Sequence, residues 1–449
     1  MELPGFKHRI PLPRILTFGF FILIILGGLL LSLPMATRNG HATSFIDALF
    51  TATSAICITG LTTVNTAAHW SVFGQSIIML LVEIGGLGFM SFTVLPFILF
   101  RRHVDLTTRL LVKESLNFEN LSDVSSVMKY VIGLSALIQS IGAGLLFIDF
   151  YPRYGLGRGL FISVFQSIMA FCNAGFDLFG NSLESYQNDP YLLLVISALI
   201  IAGGLGFLVW RDLLLLRKRK RLSLHTKLAL STSAILLVGG TLIFSLTENN
   251  LAVLTPNVSP FNHLINTFFL AVTPRTAGLT TLPYHQLSIA GIVLTIVLMF
   301  IGGTSGSTAG GIKTTTFGLL TLQSWAVLRG HHDVEFSKRR FSDQNILRAL
   351  MLVFASIALV VTAIMILTAT EATPARYGLE YVTFEVVSAF STTGMSLGLT
   401  PHLSVIGKLI IMLLMFLGRV GIYTVMFTAL NTNRTKKGYR YPTENILIG

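Results

Sequence analysis

Residues 306–314, GSTAGGIKT, come within one insertion of the phosphate-loop pattern G-x-x-x-x-G-K-[ST]. In such a loop backbone amides cradle phosphates and the lysine reaches the terminal ones. Here Ile312 separates Gly311 from Lys313, and the apolar run 286–301 precedes the loop where a strand of an α/β domain should stand. Other reactive groups are sparse. Asp47 and Glu385 lie in short apolar segments at unequal offsets, 13 and 9 residues, before Gly60 and Gly394, and imply no paired-carboxylate centre. The 10 histidines show no metal-ligand spacing, and His331-His332 sit in a basic segment. Two cysteines, Cys57 and Cys172, make no disulfide framework and read as small buried residues. No Ser-His-Asp arrangement stands out. The sequence argues against an enzyme and against a nucleotide site in this chain.

The chemistry must then lie in the elements that hold these residues. Hydrophobic residues make up 52% of the 449 and charged residues 12%, half of the usual charged share of about 25%. Apolar stretches such as 15–34 and 127–149 approach the roughly 20 residues that span a bilayer. The first lacks a cleavage site of small residues and is followed by many others, so it reads as a retained span, not a signal peptide. The net charge is +12, and the basic residues cluster between spans at 7–14, 101–113, 211–227, 329–348 and 434–440. That pattern reports topology, with both termini and the basic loops cytoplasmic, rather than nucleic-acid binding.

One order recurs four times: span, short amphipathic segment, glycine turn, span. The segments with their turns are FIDALFTATSAICITGLTT (45–63), LFISVFQSIMAFCNAGFDLFG (160–180), HLINTFFLAVTPRTAGLTT (263–281) and YVTFEVVSAFSTTGMSLG (381–398). Alignment on the turn superposes Gly60, Gly175, Gly278 and Gly394. A second glycine marker follows 24 to 28 residues later and aligns Gly85, Gly203, Gly302 and Gly418. The predicted fold class is an all-α polytopic membrane protein. It has four tandem helix–pore helix–loop–helix repeats in pseudo-fourfold arrangement around one pore. The repeats cover 1–100, 101–221, 222–340 and 341–430, with a cytoplasmic tail over 431–449.

The short segments cannot cross a bilayer, and irregular backbone at membrane depth must be buried in protein or line a watery cavity. Four turns satisfy this by converging on one axis. A ring of backbone carbonyls there can replace a cation's hydration shell. Glycine reaches the dihedrals such a turn needs, and the half-helices aim partly negative C-terminal ends at the axis. The candidate ion path is Ile58-Thr59-Gly60, Asn173-Ala174-Gly175, Thr276-Ala277-Gly278 and Thr392-Thr393-Gly394, contributing main-chain oxygens. Asp177, at the outer mouth, reads equally as a cation attractor or as a loop cap. Arg275 is expected to point away from the axis and to bond pore-helix carbonyls. Glu83 is expected to be a structural hydrogen-bond partner.

The second markers differ among themselves. GGLGFMSF and GGLGFLVW, in the first two repeats, read as continuous helix, whereas the third repeat dissolves into GGTSGSTAGG. Such a run has poor helix propensity and should break its span. Gly302, Gly303, Thr304, Ser305, Gly306, Ser307, Thr308, Ala309, Gly310, Gly311 and Lys313 are therefore a candidate gate lining a wet cavity below the turns. The fourth repeat carries Arg419 where the others have Gly86, Gly204 and Gly303. A guanidinium at membrane depth needs a cavity or a partner. It is expected to face the axis and to latch the loop through the loop's freed carbonyls.

The four single-glycine turns, GGTSGSTAGGIKTTT and LGRVGIYT resemble the Trk/Ktr/HKT superfamily of potassium transporters, most closely the membrane subunit of the bacterial Ktr system. The resemblance covers essentially the whole chain. It implies potassium uptake across a bacterial plasma membrane, stimulated by sodium, by a homodimer. It also implies regulation by a cytosolic octameric ring of RCK type that binds ATP or ADP. One glycine per strand, rather than the two of true potassium channels, implies weaker selectivity. An alternating-access potassium symporter coupled to sodium or protons is the competing reading, because carriers also break helices at the midplane. Parallel repeats favour the pore.

Overall fold

The computed structural model describes residues 12–88, 124–248, 258–331, 333–371, 378–422 and 425. The basic segment 101–113, His332, the cluster 434–440 and the tail 431–449 lie outside the described residues. The chain is a polytopic helical membrane protein. Three described helices are long and apolar enough to cross a bilayer alone: Met128–Tyr154, Leu224–Thr247 and Asp343–Thr370. The first of these belongs to a longer helix, Val124–Tyr154. With Leu12–Leu31 they occupy the leading position in each of four successive units. Their outer faces keep large apolar side chains exposed, such as Phe21, Ile148, Leu242 and Phe354. That pattern suits contact with lipid rather than water.

Each leading helix is followed by a short one: Phe45–Ile56, Leu156–Cys172, Pro260–Val272 and Leu379–Ser391. These are the buried heart of the molecule. Every residue from Ala48 to Ile56 except Leu49 is buried, and so is every residue from Ser388 to Ser391. Ser44 and Ser259 cap two of them by accepting from Asp47 N and Asn262 N, satisfying amides that a helix start leaves free.

The closing helices are Val72–Leu87, Pro190–Gly204, Ile289–Phe300 and Val405–Val420. All four start at a polar cap, with Ser71, Asp189, Ser288 and Ser404 accepting from the amide three residues on. In the last two units the cap serine also donates to a carboxylate at the end of the leading helix. Ser288 Oγ bonds Glu248 and Ser404 Oγ bonds Glu371, each at 2.5 Å. These bonds pin the outer ends of both helices together.

The expectation of continuous helix in the first two repeats fails. In the second, Pro190–Gly204 and Phe207–Leu214 meet at a bend of 96°. The hinge is Gly206, at φ +87° and ψ 148°, a conformation open only to glycine. The first closing helix stops at Leu87 before Gly88 (φ +81°), and the fourth at Val420 before Gly421 (φ +91°). A glycine three residues past the marker thus ends three of the closing helices, and the third stops at Phe300 before its run of small residues.

On the basic side, Glu335–Phe336 and Arg339–Arg340 form a small antiparallel hairpin. Lys227 Nζ reaches it through Ser337 Oγ at 2.6 Å. Lys408 of the last closing helix pairs with Asp47 of the first short helix at 2.8 Å, tying the end of the chain to its beginning.

Candidate functional site

The four glycine turns meet. A Cβ added to Gly60 would lie 2.7 Å from Gly175 Cα and against the Ala174 carbonyl; one added to Gly175 would lie 3.3 Å from the Ala277 carbonyl oxygen. Gly278 stands in the same way against the Thr393 carbonyl, and Gly394 against that of Thr59. The contacts run 60, 175, 278, 394 and back to 60, so the turns form a closed ring in chain order. The carbonyl oxygens of Thr59, Ala174 and Thr393 sit where a side chain at the neighbouring glycine would collide, and that of Ala277 leaves one little room.

The backbone conformation alternates. Ile58, Asn173, Thr276 and Thr392 all have positive φ, at 58°, 60°, 74° and 54°, and the glycine two residues on is positive again. Such dihedrals disfavour any residue with a Cβ. Their repetition at one position in all four strands marks a strained geometry held by its surroundings. Sequence reasoning named these residues and missed their conformation. Besides the glycines, only Asn173 is of a type that carries a sequence signal for positive φ.

Hydrogen bonds hold the turns. Thr59, Ala174 and Thr393 donate their amides to Ser54, Met169 and Ser388, five residues back. The third turn differs: Pro274 has no amide to continue the helix, and Ala277 bonds Thr273 instead. Ser54 Oγ accepts from Gly60 N at 2.9 Å. The fully buried Glu385 accepts from Ser396 Oγ at 2.9 Å and from Thr400, fastening the segment that leaves the fourth turn.

Asp177 resolves toward the cap: its Oδ1 accepts from Phe179 N at 2.8 Å and Gly180 N at 2.6 Å. Glu83 accepts from Gln139 Nε2 at 2.9 Å. Cys172 is buried beside Glu83, and Cys57 is buried and free. Arg275 departs from expectation. It points away from the ring but donates to Ser233 Oγ at 3.0 Å, not to pore-helix carbonyls. Those carbonyls are occupied: Phe269, Val272 and Thr273 already accept backbone amides.

Below the ring lies the loop from Ile301 to Lys313. Its ends pair, Gly302 N to Ile312 O at 2.9 Å and Thr314 N to Gly303 O at 3.0 Å. Its middle reaches the second unit. Thr304 N bonds Gly204 O, Thr308 Oγ1 bonds Phe171 O, and Phe207 N at the bend bonds Gly306 O. Its far side reaches the fourth unit, where a Cβ on Gly310 would be 2.9 Å from Thr392 Cγ2 and one on Gly311 would be 3.2 Å from Ser391 Cα. Ser305 Oγ pairs with Thr315 Oγ1 at 3.0 Å, Ser307 Oγ accepts from Ala309 N at 3.2 Å, and Lys313 Nζ donates to Ala309 O at 2.6 Å.

Arg419 joins the pieces. Its guanidinium donates to the carbonyl of Thr308 in the loop and to those of Gly85 and Gly86, where the first closing helix ends. Helix ends leave carbonyls short of partners; Gly85 O also accepts the Gly88 amide, and one arginine serves acceptors from two units. The contact to the first unit was not foreseen from the sequence. Among the described residues no group of His, Cys, Asp and Glu could hold a metal ion.

The ring of positive-φ turns thus lies buried inside a helical membrane protein, and comparison with known proteins gives the family of the chain. The TrkH family pattern, described as cation transport proteins, matches residues 19–436. The chain belongs to this family. It is 50% identical to the potassium/sodium uptake protein NtpJ of Enterococcus hirae, over 99% of this chain and 98% of that one. It is 41% identical to the Ktr system potassium uptake protein B of Bacillus subtilis, over 97% of this chain and 96% of the relative. Within the TrkH family it is thus a Ktr-type membrane subunit. The crystal structure of the potassium transporter TrkH from Vibrio parahaemolyticus shares the fold, with a TM-score of 0.74, 17% identity and coverage of 96% of this chain and 86% of that one. The family is one of transporters, not of enzymes.

Proposed function

We propose that this chain is the potassium-translocating membrane subunit of a Ktr-type uptake system, with the ring at Gly60, Gly175, Gly278 and Gly394 as its selectivity filter. The single observation that carries the reading is the closed ring of positive-φ turns. Carbonyl oxygens packed around one axis can replace the hydration shell of a cation. The ligands are main-chain oxygens of Ile58, Thr59, Asn173, Ala174, Thr276, Ala277, Thr392, Thr393 and the four glycines. Relatives named for potassium uptake support potassium as the cargo, and one named for potassium and sodium uptake supports a part for sodium, which we read as activation.

The loop 302–313 is the gate and Arg419 its latch. The loop crosses beneath the ring between the second and fourth units, and the guanidinium adds positive charge to the cation path. The subunit works as a homodimer in the bacterial plasma membrane, with both termini cytoplasmic, and takes its regulation from a cytosolic RCK-type ring. The name of the Ktr system supports a partner subunit.

The test is rubidium or potassium flux in proteoliposomes, with membrane voltage and sodium varied independently. A pore predicts flux that follows the potassium gradient and voltage, with sodium changing its rate but not its reversal. A reversal potential that shifts with the sodium or proton gradient would instead establish a coupled carrier.

A further inference from the structure

Glu385 is fully buried in the fourth short helix, and none of the ion pairs among the described residues includes it. Its oxygens face the segment that leaves the fourth turn. Oε2 accepts from Ser396 Oγ at 2.9 Å, and Oε1 accepts from Thr400 Oγ1. The two hydroxyls lie 3.3 Å apart, and Ser396 Oγ also accepts from Gly398 N at 2.9 Å. One carboxylate thus gathers the chain on both sides of Gly398, which stands at φ +101°.

The same position, nine residues before the turn glycine, holds Thr51, Gln166 and Phe269 in the other units. None of these ties its helix to the exit of its turn. Thr51 Oγ1 bonds back to Asp47 O in its own helix, Phe269 has no polar side chain, and the amide of Gln166 is buried without a partner. Asp177, the counterpart of Ser396 in the second unit, accepts from its own loop amides instead. Hydroxyls that donate to a carboxylate make stronger bonds than neutral pairs do. A buried carboxylate without donors is costly, so helix and exit hold each other. The strand held in this way touches both neighbours: the Thr393 carbonyl stands against Gly278, and Gly394 stands against the Thr59 carbonyl.

We infer that Glu385 is a positioning residue for ion selection, acting on the fourth strand through Ser396 and Thr400; this rests on the reading of the ring as the filter. Glu385 touches no ion. It sets where the exit leaves the ring, and so keeps the Thr393 and Gly394 oxygens in register with those of the other three turns. Potassium is told from sodium by how many carbonyls reach the ion and how they are placed. With the tie cut, the fourth strand is free to close on the smaller sodium.

The experiment measures rubidium uptake by the full-length protein in proteoliposomes, with sodium as competitor, for wild type, Glu385→Gln, Ser396→Ala, Thr400→Val and Gly394→Ser. Maximal rubidium rate and thermal unfolding midpoint are taken in parallel. Glu385→Gln keeps the side chain's size, and the two hydroxyl variants each cut one arm and leave the carboxylate in place. Each should strengthen competition by sodium roughly threefold to tenfold, the equivalent of one lost hydrogen bond. The change in competition should exceed the change in maximal rate. Should Glu385→Gln fail to fold, Ser396→Ala and Thr400→Val still decide. Wild-type competition in these variants, beside altered competition in Gly394→Ser, overturns the inference and leaves the filter standing. A lower midpoint and lower rate with unchanged competition also overturns it, since that is the mark of a purely structural brace. Unchanged competition in Gly394→Ser as well would remove the filter reading and this inference with it.

Discussion

At the scale of single residues, the ring glycines and Arg419 carry the sharpest expectations. Gly394 has φ +86°, and a Cβ there would overlap the Thr59 carbonyl. Gly394→Ser should therefore push the first strand's oxygen out of line and lower the preference for potassium over sodium. A loss of roughly tenfold corresponds to about 1.4 kcal/mol of differential binding. Competition of sodium against rubidium uptake in a potassium-uptake-deficient strain measures it, and an unchanged ratio would remove Gly394 from the filter. Arg419→Ala removes the side-chain donor from the carbonyls of Thr308, Gly85 and Gly86 and, on the proposed reading, takes a positive charge off the path. Flux should rise; equal flux at normal expression would mean that the arginine is only structural. The glycines were legible in the sequence because types and spacing repeat, and the arginine because it breaks the repeat. The positive φ of Ile58, Thr276 and Thr392 was not, since nothing in those side chains asks for it; only Asn173 is of a type that favours the left-handed region.

At the scale of elements, the loop and the bend of the second closing helix act on each other. Gly206 allows the 96° turn, and its neighbour Phe207 hands its amide to Gly306 in the loop. Gly206→Ala would place a Cβ 3.0 Å from Ser305 O at a positive φ. It should destabilise the protein by about 1–3 kcal/mol, read as a lower unfolding midpoint. An unchanged midpoint would mean that the bend relaxes freely. Deleting part of 304–310 should raise flux, since the bonds to Gly204, Phe171 and Arg419 are lost together. Unchanged or lower flux with normal expression would end the gate reading. The break in the third repeat was visible as a run of poor helix formers. The break in the second was missed because GGLGFLVW stays apolar across it, although Gly88, Gly206 and Gly421 hold matching positions.

At the scale of the whole molecule, four units must stay closed around one axis. Lys408 and Asp47 join the last unit to the first, with side chains 15% and 22% exposed. A double-mutant cycle with Lys408→Ala and Asp47→Ala should give a coupling of about 1 kcal/mol or less, because partly exposed pairs are weak. A coupling near zero would mean that packing alone closes the ring.

Sequence by itself determined the class of this protein. Apolar content, charge placement between spans and two aligned sets of glycines prescribe a helical membrane protein with four turns. These signals are local, because bilayer insertion and helix length act on contiguous segments. Tertiary structure alone decided the partners. It gave Asp177 to its own loop amides, Arg275 to Ser233, and Arg419 to carbonyls of two other units. Hydrogen bonds between distant segments depend on which acceptors the packing leaves free, and the order of residues along one chain does not state that.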